Sequence, residues 1–507
     1  MHTRRPPNVL WLMTDEQRRD SMGCYGSAWA RTPNLDRLAA QGVVFEHAYT
    51  PSPVCQPARE SILTGDYPSQ TRVWTNLGTH QLERDYLTRR FIDAGYRSAS
   101  FGKQHYSGSQ QAFETEKNLV ISDAVDCYGY ADSYDEADYD VIKHPFGWVL
   151  GGRFPEPAAK KREYEVVDEA MAWLARGSDD QPFLLRLSFS APHTPVVPPV
   201  PFDTLIGEAE IALPPEADSV PEGSLRWAHH GALSDALTAD QIRKLRRYYY
   251  GEVAFVDQQF GRLLDWMRAR GLLENTIVAY VSDHGTHLGD YGRVQKGTFF
   301  EPVVSVPYFY WYPDGIARGV RVEAPVETRT LLPTLLSLAG LAVPDTLAED
   351  NLAPWLRRGT ATTARPVFSE IAGGMNDTRY VMVREGDWKL SLEMDPQPSV
   401  GILVDLGHDP LERCNLFDSP GAADTQARLR MLLDEHLKAT PPVYPNVRLV
   451  DLARLHQDGA VACPECHRTE QIRRVPRDAN VYWAESLSEA YRCGHCGTRF
   501  GAAGPET

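Results

Sequence analysis

The chain has 507 residues, of which 42% are hydrophobic and 24% charged, and it carries a formal net charge of −16 at pH 7. This length allows more than one domain, one of them large, and so acidic a chain is a poor candidate for binding nucleic acid or an anionic membrane. The apolar run at residues 8–13 is too short for a signal peptide, and no stretch approaches about 20 apolar residues, so we expect a cytoplasmic protein without a membrane span.

Strand-like and helix-like segments alternate over the first two thirds of the chain. Strands are predicted at residues 8–13, 43–45, 96–101, 183–189 and 276–281, helices at 35–41, 82–94, 158–175 and 238–270, and long loops at 105–150 and 192–221. The alternation predicts an α/β fold, in which helices cover both faces of a large, mostly parallel sheet. In such a fold the catalytic side chains lie at the carboxyl ends of the strands.

The pattern changes from about residue 379. Two strand patterns, at 379–384 and 388–392, flank the turn Glu385-Gly386-Asp387, and a strand at 401–406 and a helix at 422–438 follow. These elements predict a smaller antiparallel sheet with one helix. We therefore expect a catalytic α/β domain at residues 1–375, a small α+β domain at 376–445 and a separate terminal module at 458–503.

A short helix is predicted between Val54 and Gly65. Pro57 fits its first position, where a missing N–H costs nothing, and Gly65 can close it. Cys55 then lies at or just before the helix N-terminus, where unpaired N–H groups and the helix dipole favour an anion and lower the pKa of a thiol. Arg59, one turn further on, can reach the same point. Taken alone, such a cysteine is most simply a small apolar residue at a helix cap.

Candidate metal ligands follow two of the predicted strands. Asp15 and Glu16 come after the strand at 8–13, and Asp283 and His284 come after the strand at 276–281. Carboxylates with one imidazole suit Ca²⁺, Mg²⁺ or Mn²⁺, and the imidazole favours Mn²⁺. An aspartate at a strand end also commonly caps a turn, so Asp15 alone does not distinguish a metal site from a turn.

Candidate cationic and titratable groups follow two other predicted strands. Lys103 and His105 are two residues apart and share a face in extended backbone, which brings a fixed cation and a titratable ring together. His193 lies between prolines that stiffen its loop. Lys296 comes thirteen residues after Asp283, and on its own would be a solvated surface lysine.

In this order the motifs resemble those of the type I sulfatases, in the alkaline phosphatase superfamily. The family pattern is an acidic pair, then Cys-x-Pro-x-Arg, Gly-Lys-x-His, Pro-His-x-Pro, Asp-(Asn/His)-Gly and a downstream Lys, and the resemblance spans roughly residues 6–440. Two positions depart from it. His284 stands where many sulfatases carry Asn and is more like choline sulfatases and phosphonate monoester hydrolases, and Glu16 stands where the second acid is usually Asp.

The resemblance implies a formylglycine nucleophile at position 55. A formylglycine-generating enzyme would oxidise Cys55, and one hydroxyl of the hydrated aldehyde would attack a small-molecule sulfate ester while Asp283 accepts its proton. The ester formed on residue 55 would break when the other hydroxyl loses its proton to His105 and the aldehyde re-forms. Asn76 is a further candidate for contact with the substrate.

The remaining candidates fall, by the same resemblance, into a metal group and a charge-stabilising group. One divalent cation would be bound by Asp15, Glu16, residue 55, Asp283 and His284. The charge of the transferring group would be met by Arg59, Lys103 and Lys296, and the leaving oxygen by His193 together with Lys296. The implied function is sulfate ester hydrolysis. The alternatives are a phosphonate monoester or phosphodiester hydrolase with the same nucleophile, and an inactive scaffold whose working part is the terminal module.

Four of the eight cysteines form two Cys-x-x-Cys pairs near the C-terminus, namely Cys463, Cys466, Cys493 and Cys496. Pairs at this spacing predict a tetrahedral, structural Zn²⁺ site in a zinc ribbon. Residues 458–507 hold six Arg against seven Asp and Glu, so nucleic-acid binding is not expected. A role in subunit contact or as a lid is favoured, and we expect a homo-oligomer.

Overall fold

The computed structural model describes residues 5–74, 76, 85–107, 111–119, 140–143, 149–178, 180–207, 210–214, 232–233, 237–361, 364–372, 379–394 and 401–439, and parts of the terminal module at 447–449, 456–457, 460–461, 472–475, 487–493 and 499–503. The main sheet contains, in chain order, β1 (Asn8–Thr14), β2 (Val43–Phe45), β3 (Arg97–Gly102), β4 (Thr115–Asn118), β5 (Phe183–Ser188), β6 (Thr276–Ser282), β7 (Tyr308–Trp311) and β8 (Val320–Val322). Their spatial order is β8-β2-β7-β6-β1-β5-β3-β4. Every neighbouring pair is parallel except the two that include β7, which confirms the predicted large, mostly parallel sheet.

The helices are α1 (Pro33–Ala40), α2 (Cys55–Thr64), α3 (Pro68–Thr71), α4 (Arg89–Asp93), α5 (Arg162–Ala175), α6 (Ala239–Arg268), α7 (Glu301–Val304), α8 (Leu331–Leu338), α9 (Ala353–Arg358) and α10 (Ala423–Ala439). Short strands outside the main sheet lie at Ala48–Tyr49, Ile142–Lys143, Val149–Gly151, Phe154–Pro157, Pro199–Val200, Ala232–Leu233, His287–Leu288, Arg293–Gln295 and Val326–Glu327. Within the described residues, we find no helix that combines the length and the apolar character needed to cross a membrane.

Strand β1 lies at the centre of the molecule and is buried on both faces. Trp11 packs into a core cluster that includes residues of α2 and α8, whereas Leu10 and Leu12 pack into a second cluster with α1, α5 and α6. Side chains alternate across a strand, so a central strand between two helical layers must be apolar at nearly every position. This explains the uninterrupted apolar run that starts the chain.

Three local predictions were wrong. Of the predicted helix at 82–94, residues 82–84 lie outside the described residues, and among the rest only Arg89–Asp93 is α-helical. The predicted loop at 105–150 contains β4, a polar edge strand, because an edge strand need not bury an apolar face. Helix α2 begins at Cys55, so Pro57 occupies its third position and not its first.

The small C-terminal sheet is antiparallel, as predicted, with β9 (Val367–Ala372), β10 (Arg379–Glu385), β11 (Trp388–Glu393) and β12 (Gly401–Asp405) in that order. One face packs on α10 through apolar residues such as Val381, Leu390 and Leu433, and the other packs on the main domain. Since β9 pairs with β10, this sheet begins before residue 376.

The terminal module contributes a four-stranded sheet of β13 (Val447–Leu449), β14 (Ile472–Val475), β15 (Leu487–Cys493) and β16 (Arg499–Ala503), and a short hairpin of His456–Gln457 and Ala460–Val461. Since β13 pairs with β16, this sheet begins before residue 458. Cys463, Cys466 and Cys496 lie outside the described residues, and of Cys493 only its place at the end of β15 is described. The zinc ribbon therefore stays a prediction.

Candidate active site

The carboxyl ends of four main-sheet strands meet at one level of the sheet. Thr14 of β1 is opposite Ser282 of β6, and Ser188 of β5 is opposite both Met13 of β1 and Gly102 of β3. The residues that follow, Asp15, Asp283 and Lys103, are therefore brought together, although they are distant in sequence. These candidate residues therefore gather at the carboxyl ends of parallel strands, where the sites of such folds lie.

Cys55 faces this edge from the first position of α2 and is fully buried. Its Sγ lies 3.6 Å from Asp15 Oδ1, 3.1 Å from His284 Nε2 and 3.0 Å from Lys296 Nζ. Burial alone would raise the pKa of the Cys55 thiol, but the charges of Lys296 and then Lys103 hold it well below its ordinary value. The position therefore stabilises negative charge on the atom that residue 55 presents.

Arg59 lies one turn along α2 and orients both aspartates. Its Nη2 is 2.9 Å from Asp15 Oδ2, its Nε is 2.8 Å from Asp283 Oδ2, and its Nη1 donates to Ser188 Oγ at 2.8 Å. Each carboxylate thus gives its Oδ2 to the guanidinium, while Asp15 Oδ1 faces Cys55 and Asp283 Oδ1 accepts from the backbone N–H groups of Glu16 and His284. Burial would raise the pKa of Asp15, but Lys103, whose Nζ is 2.9 Å from Oδ2, and Arg59 lower it.

Four buried groups suit one divalent cation. Asp15, Cys55, Asp283 and His284 each offer a ligand atom, and these atoms all lie within 4.8 Å of one another. His284 Nδ1 is 2.8 Å from the carbonyl oxygen of Gly285, so a proton on Nδ1 leaves Nε2 free as a ligand. Burial, with Asp15 nearby, raises the pKa of Asp283 to about 6. Two crowded, buried carboxylates are the arrangement that a cation would stabilise, so the donor set fits the implied metal.

Glu16 points to the other side of the site. Its Oε1 is 2.5 Å from Lys296 Nζ and 3.3 Å from His193 Nε2, and its Oε2 accepts a hydrogen bond from Thr194 Oγ1 at 3.3 Å. With Asp15 and His193 it forms a second group of potential ligand atoms. Lys296 Nζ is also 2.9 Å from His193 Nε2, so the carboxylate, the ammonium and the imidazole are all in mutual contact.

His105 and Asn76 complete the predicted set. His105 is half-buried and contributes a hydrogen bond that lowers the pKa of Cys55, so its ring lies beside residue 55. Asn76 Oδ1 accepts a hydrogen bond from the backbone N–H of Gln56 at 2.9 Å. The structure therefore brings every predicted residue of the catalytic domain to one site.

A family model described as Sulfatase matches residues 7–341. The chain belongs to the sulfatase family. A second family model, described as N-sulphoglucosamine sulphohydrolase, C-terminal, matches residues 289–439. Together these matches cover the main and small domains of this sulfatase, and they confirm the resemblance drawn from the motifs.

Curated relatives of this sulfatase are themselves sulfatases. It is 30% identical over 453 residues to the choline-sulfatase of Rhizobium meliloti, covering 84% of this chain and 86% of that protein. It is 26% identical over 464 residues to the arylsulfatase of Clostridium perfringens, covering 86% and 96% respectively. The prediction that the chain is a sulfatase is confirmed.

Solved structures confirm the fold. The structure of BT4656 in complex with its substrate D-glucosamine-2-N,6-O-disulfate has a TM-score of 0.73 at 22% identity, covering 86% of this chain and 99% of that one. The phosphonate monoester hydrolase of Silicibacter pomeroyi has a TM-score of 0.72 at 24% identity, covering 86% and 96%. This sulfatase thus shares its fold with both proteins.

Sequence reasoning missed three residues at this sulfatase's site. Ser188 accepts hydrogen bonds from both Arg59 and the backbone N–H of Lys103, Thr194 binds Glu16, and the buried Arg186 donates to Ser100 Oγ at 2.8 Å. Ser188 could have been found, because it lies at the carboxyl end of the strand predicted at 183–189. Arg186 gave no signal, since a lone arginine in an apolar strand has no motif.

Proposed function

We propose that Cys55 is the precursor of a formylglycine nucleophile and that this sulfatase uses it to hydrolyse sulfate monoesters. The observation that supports the proposal most directly is the position of Cys55. It lies at a helix N-terminus, beside two oriented aspartates and within 3.0–3.1 Å of Lys296 Nζ and His284 Nε2. A divalent cation held by Asp15, residue 55, Asp283 and His284 would act there as a Lewis acid.

The side chains divide the work between the two ends of the transferring group. Arg59 and Lys103 stabilise charge on the non-bridging oxygens. Lys296 and His193, which are in hydrogen-bond contact, protonate the leaving oxygen when the bond from sulfur to the alcohol breaks. His105 then takes the proton from the second hydroxyl of residue 55, the carbon–oxygen bond to sulfate breaks, and water later restores the hydrate.

Glu16 has a defined place in this proposal, whether or not it also binds the metal. Its carboxylate contacts Lys296, His193 and Thr194. It therefore fixes the positions of Lys296 and His193, the two residues proposed to protonate the leaving oxygen. Asn76, which binds the first turn of α2, is the proposed substrate-side neighbour of residue 55.

The test combines a variant with a mass measurement. Cys55→Ala is expected to abolish hydrolysis of 4-nitrophenyl sulfate while the far-UV circular dichroism stays unchanged. In the wild type, formylglycine lowers the mass of the residue-55 peptide by about 18 Da, because CH₂–SH becomes CHO. A Cys55→Ala variant that keeps most of the sulfatase rate would refute the assignment.

A phosphonate monoester hydrolase is the second candidate function. His284 is the specific observation that favours it, because a histidine at this position resembles the phosphonate monoester hydrolases as well as the choline sulfatases, and two phosphonate monoester hydrolases share the fold. Comparing kcat/KM for an aryl sulfate and an aryl phosphonate monoester, after chelation and after return of Mn²⁺, Ca²⁺ or Mg²⁺, separates the two functions.

The other predictions from the sequence are retained as proposals. A formylglycine-generating enzyme is the proposed partner that modifies Cys55, and the four terminal cysteines are the proposed ligands of a structural Zn²⁺. A homo-oligomer and a cytoplasmic location complete the set. Zinc analysis of the purified protein and size-exclusion chromatography with light scattering test the second and third.

A further inference from the structure

Glu60 is a buried carboxylate beside the site that the proposed chemistry does not use. It follows Arg59 on α2 and its exposed fraction is 0%. Among the residues that the structure describes, Glu60 has no ion-pair partner, and its Oε2 accepts no hydrogen bond. An acid in such a place costs free energy unless it is protonated or well bonded, so its contacts are informative.

Glu60 contacts Ser107 directly and also through Tyr86. Glu60 Oε1 accepts a short hydrogen bond from the backbone N–H of Ser107 and one of 3.4 Å from the hydroxyl of Tyr86. The same Tyr86 hydroxyl lies 3.0 Å from Ser107 Oγ. The carboxylate and the phenol therefore hold Ser107 by both its main chain and its side chain.

Ser107 is two residues from His105, whose backbone is strained. His105 has φ +41°, a left-handed conformation that a non-glycine residue keeps only where its surroundings enforce it. On the preceding side, Lys103 is fixed because its N–H donates to Ser188 O at 2.7 Å and its carbonyl accepts from Arg59 Nη1 at 3.2 Å. Glu60 is the corresponding anchor on the following side.

One helix thus determines the position of both partners in the second chemical step. Residue 55 is the first residue of α2 and Glu60 is on its second turn, so movement of the helix carries the nucleophile and the anchor of the His105 segment together. We propose that Glu60 is a positioning residue which, through Ser107, holds the His105 ring against residue 55 for the breakdown of the covalent ester. This inference rests on the proposed function.

A defect limited to the second step has a distinctive kinetic result. In Glu60→Ala, kcat for 4-nitrophenyl sulfate is expected to fall by about 10- to 100-fold, the scale of a misplacement of about 1 Å. KM falls in proportion and kcat/KM is retained, because nitrophenol leaves before the affected step. We expect a burst of nitrophenol equivalent to the enzyme concentration. After acid quench, the residue-55 peptide should carry the sulfate ester.

Three further variants make the result specific. Glu60→Gln keeps an acceptor for the Ser107 N–H, so its kcat should return close to the wild-type value. Tyr86→Phe removes only the hydroxyl and should show the same burst with a smaller amplitude. This variant tests the inference even if Glu60→Ala folds poorly. Asp257→Ala is the matched control, since Asp257 is a buried carboxylate that caps α1 by accepting from the Leu35 N–H at 2.8 Å; it should lower stability without a burst.

Other results overturn the inference. They are unchanged kcat in Glu60→Ala, a parallel loss of kcat and kcat/KM without an adduct, or a burst in Asp257→Ala of the same size. Failure of the proposed function is recognised separately, because then the wild type itself gives no turnover or Cys55→Ala retains it.

Discussion

Arg59 shows what a motif can and cannot predict about a single residue. The sequence places it one turn from Cys55, where the structure has it, and indicates an anion site. Its partners Asp15, Asp283 and Ser188 lie at the carboxyl ends of three different strands. No local pattern predicts those pairings, because they arise only when the sheet is assembled. The guanidinium therefore orients the two aspartates, in addition to the charge-stabilising role proposed for it.

Glu60 also gives a prediction about stability and pH. Burial raises the pKa of its carboxyl to about 7, against hydrogen bonds from Ser107 and Tyr86 that lower it. The folded protein therefore holds this proton more tightly than the unfolded chain, and ionisation costs stability as the pH rises from about 4.5 to about 7. Glu60→Gln removes that cost, so its free energy of unfolding relative to wild type should rise by about 2.5 kcal/mol between pH 5 and pH 8.

Urea unfolding of both proteins at pH 5, 6, 7 and 8 measures the difference. The amide adds a constant offset, so only the change of the difference with pH is informative. A difference that is independent of pH would mean that Glu60 has an ordinary pKa, and a difference that falls with pH would mean that the carboxylate is stabilised in the fold. Asp257→Asn, at a site where burial raises the pKa to about 6, should show the same sign with a smaller change.

At the scale of elements, the long apolar strands were predictable, whereas the polar edge strand β4 and the short interior strand β7 were not. β1 and β6 are uninterrupted apolar runs followed by Asp-Glu and Asp-His, so both the strand and its functional end are readable. β4 is polar because it lies at the sheet edge. β7, Tyr308–Trp311, inserts antiparallel between β6 and β2, and its sequence shows no difference from a short aromatic segment of a loop.

The end of α2 gives a prediction about an element boundary. Gly65 ends this helix with φ +82°, and a Cβ there would lie 2.6 Å from Leu347 Cδ1. Gly340 follows α8 with φ +78° and has nothing within 4 Å of a Cβ. Gly340→Ala should therefore cost only backbone strain, about 1–2 kcal/mol. Gly65→Ala should cost up to about 1 kcal/mol more, because the buried Leu347 must shift.

Chemical denaturation of the two glycine variants checks this ordering. The comparison isolates the side-chain contact, since both positions have nearly the same φ. Equal losses would mean that Leu347 moves without cost, and a larger loss at Gly340 would contradict the assignment of strain to these two helix ends.

At the scale of the whole molecule, the small domain supports the active site through the segment that follows Lys296. The segment at 297–301 follows Lys296 directly, and the Gly297 N–H donates to the carbonyl of Pro53 next to α2. On its far side, Lys389 of β11 donates to the Phe299 carbonyl at 2.9 Å and pairs with Glu301 Oε1 at 2.8 Å. Lys296 is thus held between the helix of residue 55 and the small sheet.

The sequence predicted both domains but not this coupling. Lys389 lies in a polar hairpin, and a lysine there gives no sign of burial.

Lys389→Met tests whether the small domain fixes that segment. Lys389 has a side-chain exposure of 2% and also lies 2.6 Å from Glu412 Oε1, so its loss leaves the buried Glu412 and the half-buried Glu301 without this ammonium. We expect the free energy of unfolding to fall by about 3–5 kcal/mol, as for other broken buried pairs. Arg428→Met, which breaks an exposed pair with Glu385 in the same domain, should cost less than about 1 kcal/mol.

The same two variants should differ in activity, because displacement of Phe299 also releases Lys296. At a temperature where both are folded, kcat/KM of Lys389→Met should fall well below that of Arg428→Met. Equal activities would show that the position of Lys296 is set by the main domain alone.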